Sequence, residues 1–459
     1  MALIVSVSGI RGTVEERAGE GLTPVEVVSW VGAWALWLRE RYGQTQVVVG
    51  QDARPSGEVL RPIAIQVLRA VGHTVYDIGL TMTPTLAMAV SFFKAKGGLM
   101  LTASHNPLQW NALKFLNEKG EFFPPHFIQE IAGYRDRLAF PAANHPGSLE
   151  RAEGAFEYHL STILRHPWID VEAIRRCHFR VVVDACNSGG GIYLPLLLEA
   201  LGVDEVILLH EQPTGVFARP PEPLPENLTE LAQAVQRVRA DLGIAVDPDV
   251  DRVAFFLPNG HPFGEEYTLV ASADYVLRHE RGPLVTNQST TMAVEWIARQ
   301  YQVPFYESRV GEYYVVEKMK AVGAVFGGEG NGGVIWPALH YGRDALAGIS
   351  LFLSHLAHEG GNAALLRKRY PDFVMMKAKL ELPKGWTPKP ELWMRLQEKA
   401  PEAQASLEDG LKLRWTDAWI HIRLSGTEPL IRIIAEAPSA EKAKELVAEW
   451  QKLLLAFLS

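Results

Sequence analysis

Four stretches of this 459-residue sequence gather side chains suited to phosphate or to a hard cation, and each follows an apolar run of strand character. In Leu101-Thr102-Ala103-Ser104-His105-Asn106-Pro107 the apolar run gives way to small polar residues. A hydroxyl at a strand end of an open α/β sheet stands where ligands bind, so Ser104 is a candidate nucleophile or phosphate carrier. A plain turn punctuated by Asn-Pro would read the same way. In Val246-Asp247-Pro248-Asp249-Val250-Asp251-Arg252-Val253, alternate carboxylates along an extended loop can converge on one cation, and oxygen ligands suit Mg²⁺. An EF-hand loop starting at Asp247 would need Gly and Glu where Arg252 and Pro258 stand. A solvated acidic turn is disfavoured, because carboxylates set between apolar runs repel one another without a cation.

The third stretch, Phe326-Gly327-Gly328-Glu329-Gly330-Asn331-Gly332-Gly333, allows close backbone approach, while Glu329 and Asn331 offer hydrogen bonds to sugar hydroxyls. A flexible loop without a ligand would look alike. The fourth runs from His421 through Arg423-Leu424-Ser425-Gly426-Thr427 to Arg432, and an arginine with two hydroxyls at a glycine turn makes a phosphate cradle. Other features carry less. Gly189-x-Gly191-x-x-Leu194 lacks the third glycine of a dinucleotide fingerprint and reads as a strand-to-helix turn. Cys186 reads as a small buried residue, since no neighbouring signal would lower its pKa.

Short β-branched runs at Val47-Val49, Val181-Val183 and Ile244-Val246 lack polar alternation, as strands covered on both faces do, and longer helical patterns separate them. This is an α/β rhythm. Thr23-Pro24-Val25-Glu26 announces a helix through a capping box, followed by a core stripe of Trp30, Trp34, Trp37 and Leu38. Ser439 caps a last helix whose apolar face covers a small sheet containing 420–424 and 430–435. Boundary signals near 140–148, after Arg252 and near 368–372 divide the chain into 1–148, 149–254, 255–369 and 370–459. The balance of 45 Lys+Arg against 53 Asp+Glu offers no general attraction to nucleic acid or anionic membrane. Two cysteines, and no apolar stretch near the ~20 residues of a membrane helix, predict a reducing cytoplasm.

Taken in order with Ser8-Gly9-Ile10-Arg11-Gly12-Thr13, the four loops resemble those of the α-D-phosphohexomutase family, which includes phosphomannomutase/phosphoglucomutase and phosphoglucosamine mutase. The resemblance runs from residue 6 to about 432. It implies four domains around a central cleft: three similar α/β domains with mixed sheets and a smaller α+β C-terminal domain, each giving one loop to the site. It makes Ser104 a phosphoserine, with Asp247, Asp249, Asp251 and an oxygen on Ser104 holding one Mg²⁺. Arg252 and Arg11 would face the transferring phosphate, and Lys114, in Asn111-Ala112-Leu113-Lys114, would act in proton transfer. The family usually has Gly where Ala112 stands. Glu329, Asn331 and Arg309 would meet the sugar, while Arg423, Ser425, Gly426, Thr427 and Arg432 would bind the phosphate that is not transferred. Many members read Gly-Glu-x-Ser-Gly-His where this chain has Gly328-Glu329-Gly330-Asn331-Gly332-Gly333, which bears on sugar preference.

The implied activity is phosphate transfer between C6 and C1 of a hexose, mannose or glucose, through a hexose 1,6-bisphosphate. Phosphoglucosamine mutase is the alternative within the family, and monomer and dimer both stay open. Aspartates after an apolar strand also occur in haloacid-dehalogenase-type phosphatases, but a phosphatase has no use for a second phosphate cradle. A sugar-phosphate sensor would have no reason to keep Ser104, Lys114 and three aspartates together.

Overall fold

The computed structural model describes residues 3–14, 17–140, 145–382, 390–425 and 430–458. Its strands form four sheets, and the first three repeat one plan. A central strand (Gln46–Gln51, Arg180–Asp184, Leu284–Asn287) lies parallel to the next strand in the chain (Thr74–Leu80, Glu205–Leu209, Phe305–Ser308). On its other side it pairs in parallel with a third (Gly98–Leu101, Leu242–Val246, Phe326–Glu329). That strand turns back into an antiparallel fourth (Trp110–Leu116, Val253–Phe256, Gly333–Ile335). Parallel neighbours require crossovers, and helices supply them: Gly57–Val71 and Thr83–Phe92, Gly190–Ala200 and Thr229–Val238, Met292–Tyr301 and Glu312–Val322. The sequence shows no short-period repeat; the repetition is one of topology.

The first sheet adds Ile4–Ser6 and Gly9–Thr13 beyond its fourth strand and Leu149–Arg151 at the opposite edge. It therefore oversteps residue 148, as the second sheet oversteps 254. The last sheet is wholly antiparallel, in the order Val374–Glu381, Leu430–Ala437, Trp419–Leu424, Leu411–Arg414, Gln404–Ser406. Helix Ala440–Leu458, whose Lys442 amide is capped by Ser439 Oγ at 3.2 Å, lays Val447, Trp450 and Leu454 on it.

Helix Pro24–Tyr42 forms as expected and buries Trp30, Trp34 and Trp37, the last edge-on to Phe127 at 5.1 Å. Its cap differs from a capping box. The Thr23 hydroxyl donates to the Glu26 carboxylate, and that carboxylate accepts the Gly19 amide at 2.8 Å, so Glu26 ties down the preceding loop instead of Thr23 serving the helix amides. The first and last units have cores of their own, while one continuous apolar cluster, which also takes in Met82 at the edge of the first, joins Val181, Val183 and Leu194 of the second to Leu284, Phe326 and Phe352 of the third.

Candidate active site

Ser104, the aspartate triplet and Gly330-Asn331 all occupy the turn between the third and fourth strands of their respective units, and Glu329 closes the third strand of its own. Ser104 sits in the left-handed region (φ 50°) and is 2% exposed. Its amide donates to Thr102 Oγ1 at 2.9 Å, and the Thr102 hydroxyl donates to Asp52 Oδ2 at 2.6 Å. Its carbonyl accepts from Arg54, a fully buried guanidinium that also reaches the carbonyls of Asn106 (2.6 Å), Pro107 (2.7 Å) and Trp110 (3.1 Å) and pairs with Asp52. Arg54 thereby pins the loop along its length.

The Ser104 hydroxyl donates to Asp247 Oδ2 at 2.8 Å. Asp247, Asp249 and Asp251 are buried and bring a carboxylate oxygen each within 4.8 Å of the others. Lys114 Nζ lies 2.6 Å from Asp249 Oδ2 and 3.8 Å from Asp251 Oδ2, and Thr83 donates to Asp249 at 2.6 Å. Arg252 Nε stands 3.7 Å from Asp251 and 4.0 Å from Asp247. Burial, then repulsion from Asp251 and Asp249, pushes the Asp247 carboxyl well above the usual range. Burial opposes ionisation of Asp249 too, but Lys114 and Thr83 more than offset it and hold that carboxyl low. Asp249 Oδ1 and Asp251 Oδ1 are buried without a hydrogen-bond partner, so a set of hard oxygen donors has capacity to spare and fits Mg²⁺. Around it the field is positive. Burial and Arg252 bring Arg11 down to about 10, and burial with Arg252 and Arg11 keeps His105 neutral by lowering its pKa far below the ordinary value.

Ser104 adjoins His105 and Asn106, which line a cavity of about 1150 Å³. Arg11 also lines it and donates to Asn106 Oδ1 at 2.8 Å. Of the expected substrate contacts, Glu329, Asn331, Arg423 and Arg432 face this space. Glu329 is heavily engaged within the protein: Oε1 accepts from Asn287 (2.8 Å) and the Gly311 amide (3.0 Å), and Oε2 from Arg343 (3.1 Å). Arg423 Nε donates to Asp409 Oδ2 at 3.1 Å, and the same oxygen accepts the Val310 amide at 3.0 Å. Arg309 stands apart, exposed and stacked over Tyr314 at 4.7 Å, so Val310 rather than Arg309 reaches the cavity. Ser425 closes its strand end through a 2.9 Å bond from its amide to Leu430, while Gly426 and Thr427 lie outside the described residues.

Sequence reasoning missed Asp52, Arg54, Thr83 and Arg343. Gln51-Asp52-Ala53-Arg54-Pro55 carries the signal that marked the other loops, an apolar strand running into polar residues and a proline. Arg343 had none: it precedes an ordinary helix cap, yet joins Asp251 (2.6 Å), Glu312 (3.0 Å) and Glu329.

The descriptions of phosphoglucomutase/phosphomannomutase α/β/α domains I, II and III match residues 3–141, 157–260 and 264–373, and that of the C-terminal domain matches 387–453. The chain belongs to the phosphoglucomutase/phosphomannomutase family. It is 35% identical to a family member of Methanopyrus kandleri named "probable phosphoglucosamine mutase", over 98% of this chain and 97% of that one. It is 34% identical to the phosphoglucomutase/phosphomannomutase of Thermococcus kodakarensis, over 99% of both. A crystal structure from Thermus thermophilus described as a "putative phosphomannomutase" superposes with a TM-score of 0.82 at 27% identity, covering 99% of each chain. The four-unit architecture is thus the family's own, and the Ser104, aspartate and Glu329 loops come one from each of its three α/β/α domains. Among the described residues no helix is long and apolar enough to cross a membrane.

Proposed function

We propose that this phosphohexomutase family member moves a phosphoryl group between O6 and O1 of a hexose monophosphate, with Ser104 as its carrier. The observation that carries the reading is the Ser104 hydroxyl 2.8 Å from Asp247, inside a buried carboxylate triplet that Lys114 approaches at 2.6 Å. Phosphoryl transfer asks a protein chiefly for alignment and charge neutralisation. Asp247, Asp249 and Asp251, with an oxygen on Ser104, would hold Mg²⁺, which neutralises charge on the transferring group. Phospho-Ser104 donates its phosphoryl group to the free sugar hydroxyl while Lys114 Nζ hands a proton to the departing Ser104 oxygen and takes the one the sugar hydroxyl loses, which leaves Ser104 as a free hydroxyl and a hexose 1,6-bisphosphate bound. The sugar reverses, and its other phosphoryl group returns to Ser104 as the proton returns to the sugar oxygen. Arg252 and Arg11 face the charge in flight. Arg423, Ser425, Gly426 and Thr427, with Arg432 alongside, hold the other phosphate, a contact that must accept either end of the sugar and so favours arginine and backbone groups. Glucose, mannose and glucosamine phosphates are the candidate sugars, matching the names of the two relatives.

Incubation with ³²P-labelled glucose 1,6-bisphosphate should label Ser104, found by peptide mass spectrometry, and Ser104→Ala should abolish isomerisation in a folded protein. An Ala variant that still interconverts the phosphates would defeat the carrier role. Phosphate released to water in place of isomerisation would favour a phosphatase.

A further inference from the structure

The cavity is polarised. The C-terminal unit presents cations to it, Lys377, Lys379, Arg423 and Arg432, whereas the third unit presents acceptors, Glu265, Glu266, Glu329 and Asn331. Two of these acceptors are already occupied: Glu329 by the bonds above, and Glu265 by Lys377 at 3.2 Å. Glu266 is not. Its Oε2 accepts the Thr291 amide at 3.0 Å, but among the described residues Oε1 accepts no hydrogen bond and no cation forms an ion pair with the carboxyl; Lys377, held by Glu265, draws on it only from farther off. Burial lifts that carboxyl to about 8, a shift that an approaching cation would reverse. The sugar loop is built around it: a Cβ at Gly330 would fall 1.7 Å from Glu266 Oε2, so only glycine lets the loop lie flat against this group. Next along the loop, Asn331 Oδ1 is buried with no donor to satisfy it. An unpaired carboxyl beside an acceptor lacking a donor is short of a cation rich in N–H groups.

We propose that Glu266, with Asn331, is a specificity-determining residue that receives the 2-ammonium group of an amino-hexose monophosphate. This rests on the mutase reading. An amino-sugar phosphate is a zwitterion with the cavity's own polarity, its phosphate toward the arginines and its ammonium toward Glu266. A neutral hexose offers one hydroxyl donor at C2, where the ammonium offers three donors and a charge.

The test compares kcat/KM for glucosamine 6-phosphate, glucose 6-phosphate and N-acetylglucosamine 6-phosphate, with 1,6-bisphosphate present. The wild type should favour glucosamine over glucose phosphate by at least about tenfold and discriminate as strongly against the N-acetyl sugar, whose nitrogen is uncharged. Glu266→Gln can keep the Thr291 contact, and it should lose at least about tenfold more on glucosamine phosphate than on glucose phosphate. Turnover of glucose or mannose phosphate without glucosamine phosphate overturns the proposal and leaves the mutase standing. So do equal losses on both sugars in the variant, or, should the variant not fold, equal wild-type rates on the amino and N-acetyl sugars. Absence of turnover on every sugar by enzyme primed with bisphosphate defeats the mutase reading itself.

Discussion

Arg54 donates to four carbonyls and pairs with Asp52 while wholly excluded from solvent, so it holds the shape of the Ser104 loop without touching the cavity. Arg54→Met fills much of the same volume but leaves Asp52, still bonded to Thr102, a buried carboxyl without its counter-ion, a change of the kind that costs about 3–5 kcal/mol. Urea denaturation should register that loss, and kcat should fall because Ser104 is no longer fixed toward Asp247. Unchanged stability would mean that the loop holds itself. Ser104 and the three aspartates drew notice in the sequence as polar runs behind apolar strands, and Lys114 only through the family resemblance. Arg54 and Arg343 did not, since the partners that give them meaning are backbone carbonyls and carboxylates far away in the chain. Glu329 was legible as a loop residue, yet nothing in its neighbourhood told that Asn287, Gly311 and Arg343 would engage its oxygens.

The C-terminal sheet joins the third unit through a few polar contacts at strand ends and loops. Lys412 Nζ reaches the Gln288 carbonyl and Glu307, each at 2.6 Å, and Gln288 donates to Ser406 at 2.8 Å. His421 adds a contact that senses acid. Its Nε2–H donates to the Asp409 carbonyl at 2.7 Å, and its Nδ1 accepts from the Ser289 hydroxyl at 2.8 Å, an arrangement that requires the neutral ring. Burial pushes this imidazole down to about 4, so between that pH and the ordinary value near 6.5 the unfolded chain binds a proton that the folded chain does not. Stability should therefore decline as pH falls from about 6.5 toward 4, and His421→Gln should flatten that slope in pH-dependent denaturation. An unchanged slope would place the acid sensitivity elsewhere, with His355, which burial also lowers to about 4, the first to examine. At this scale the sequence revealed the strands, the tryptophan stripe and the last helix, because burial imposes period and composition. The threefold strand order stayed hidden, since pairing partners leave no local mark.

The whole molecule brings the Ser104 loop, the 329–331 loop and Arg423 to one cavity and sets the aspartate triplet against Ser104, each from a different unit, with the two loops and the triplet in equivalent hairpins of a repeated topology. The order of the loops along the chain carried this arrangement into the sequence, which is why the family could be read there while the sugar could not: the contact with Glu266 proposed above joins two segments more than sixty residues apart, where Gly330 lies against that carboxylate. The cores, however, do not follow the loops. Because a single apolar cluster runs through the second and third units while the first and last keep their own, calorimetry should resolve three cooperative transitions and not four. Proteolytic nicking near residue 260 should then leave the two middle fragments associated, melting together, whereas a cut near 372, ahead of the strand Val374–Glu381 that pairs with Leu430–Ala437, should free a C-terminal piece able to refold alone. What looks like four parts to chemistry is three to heat.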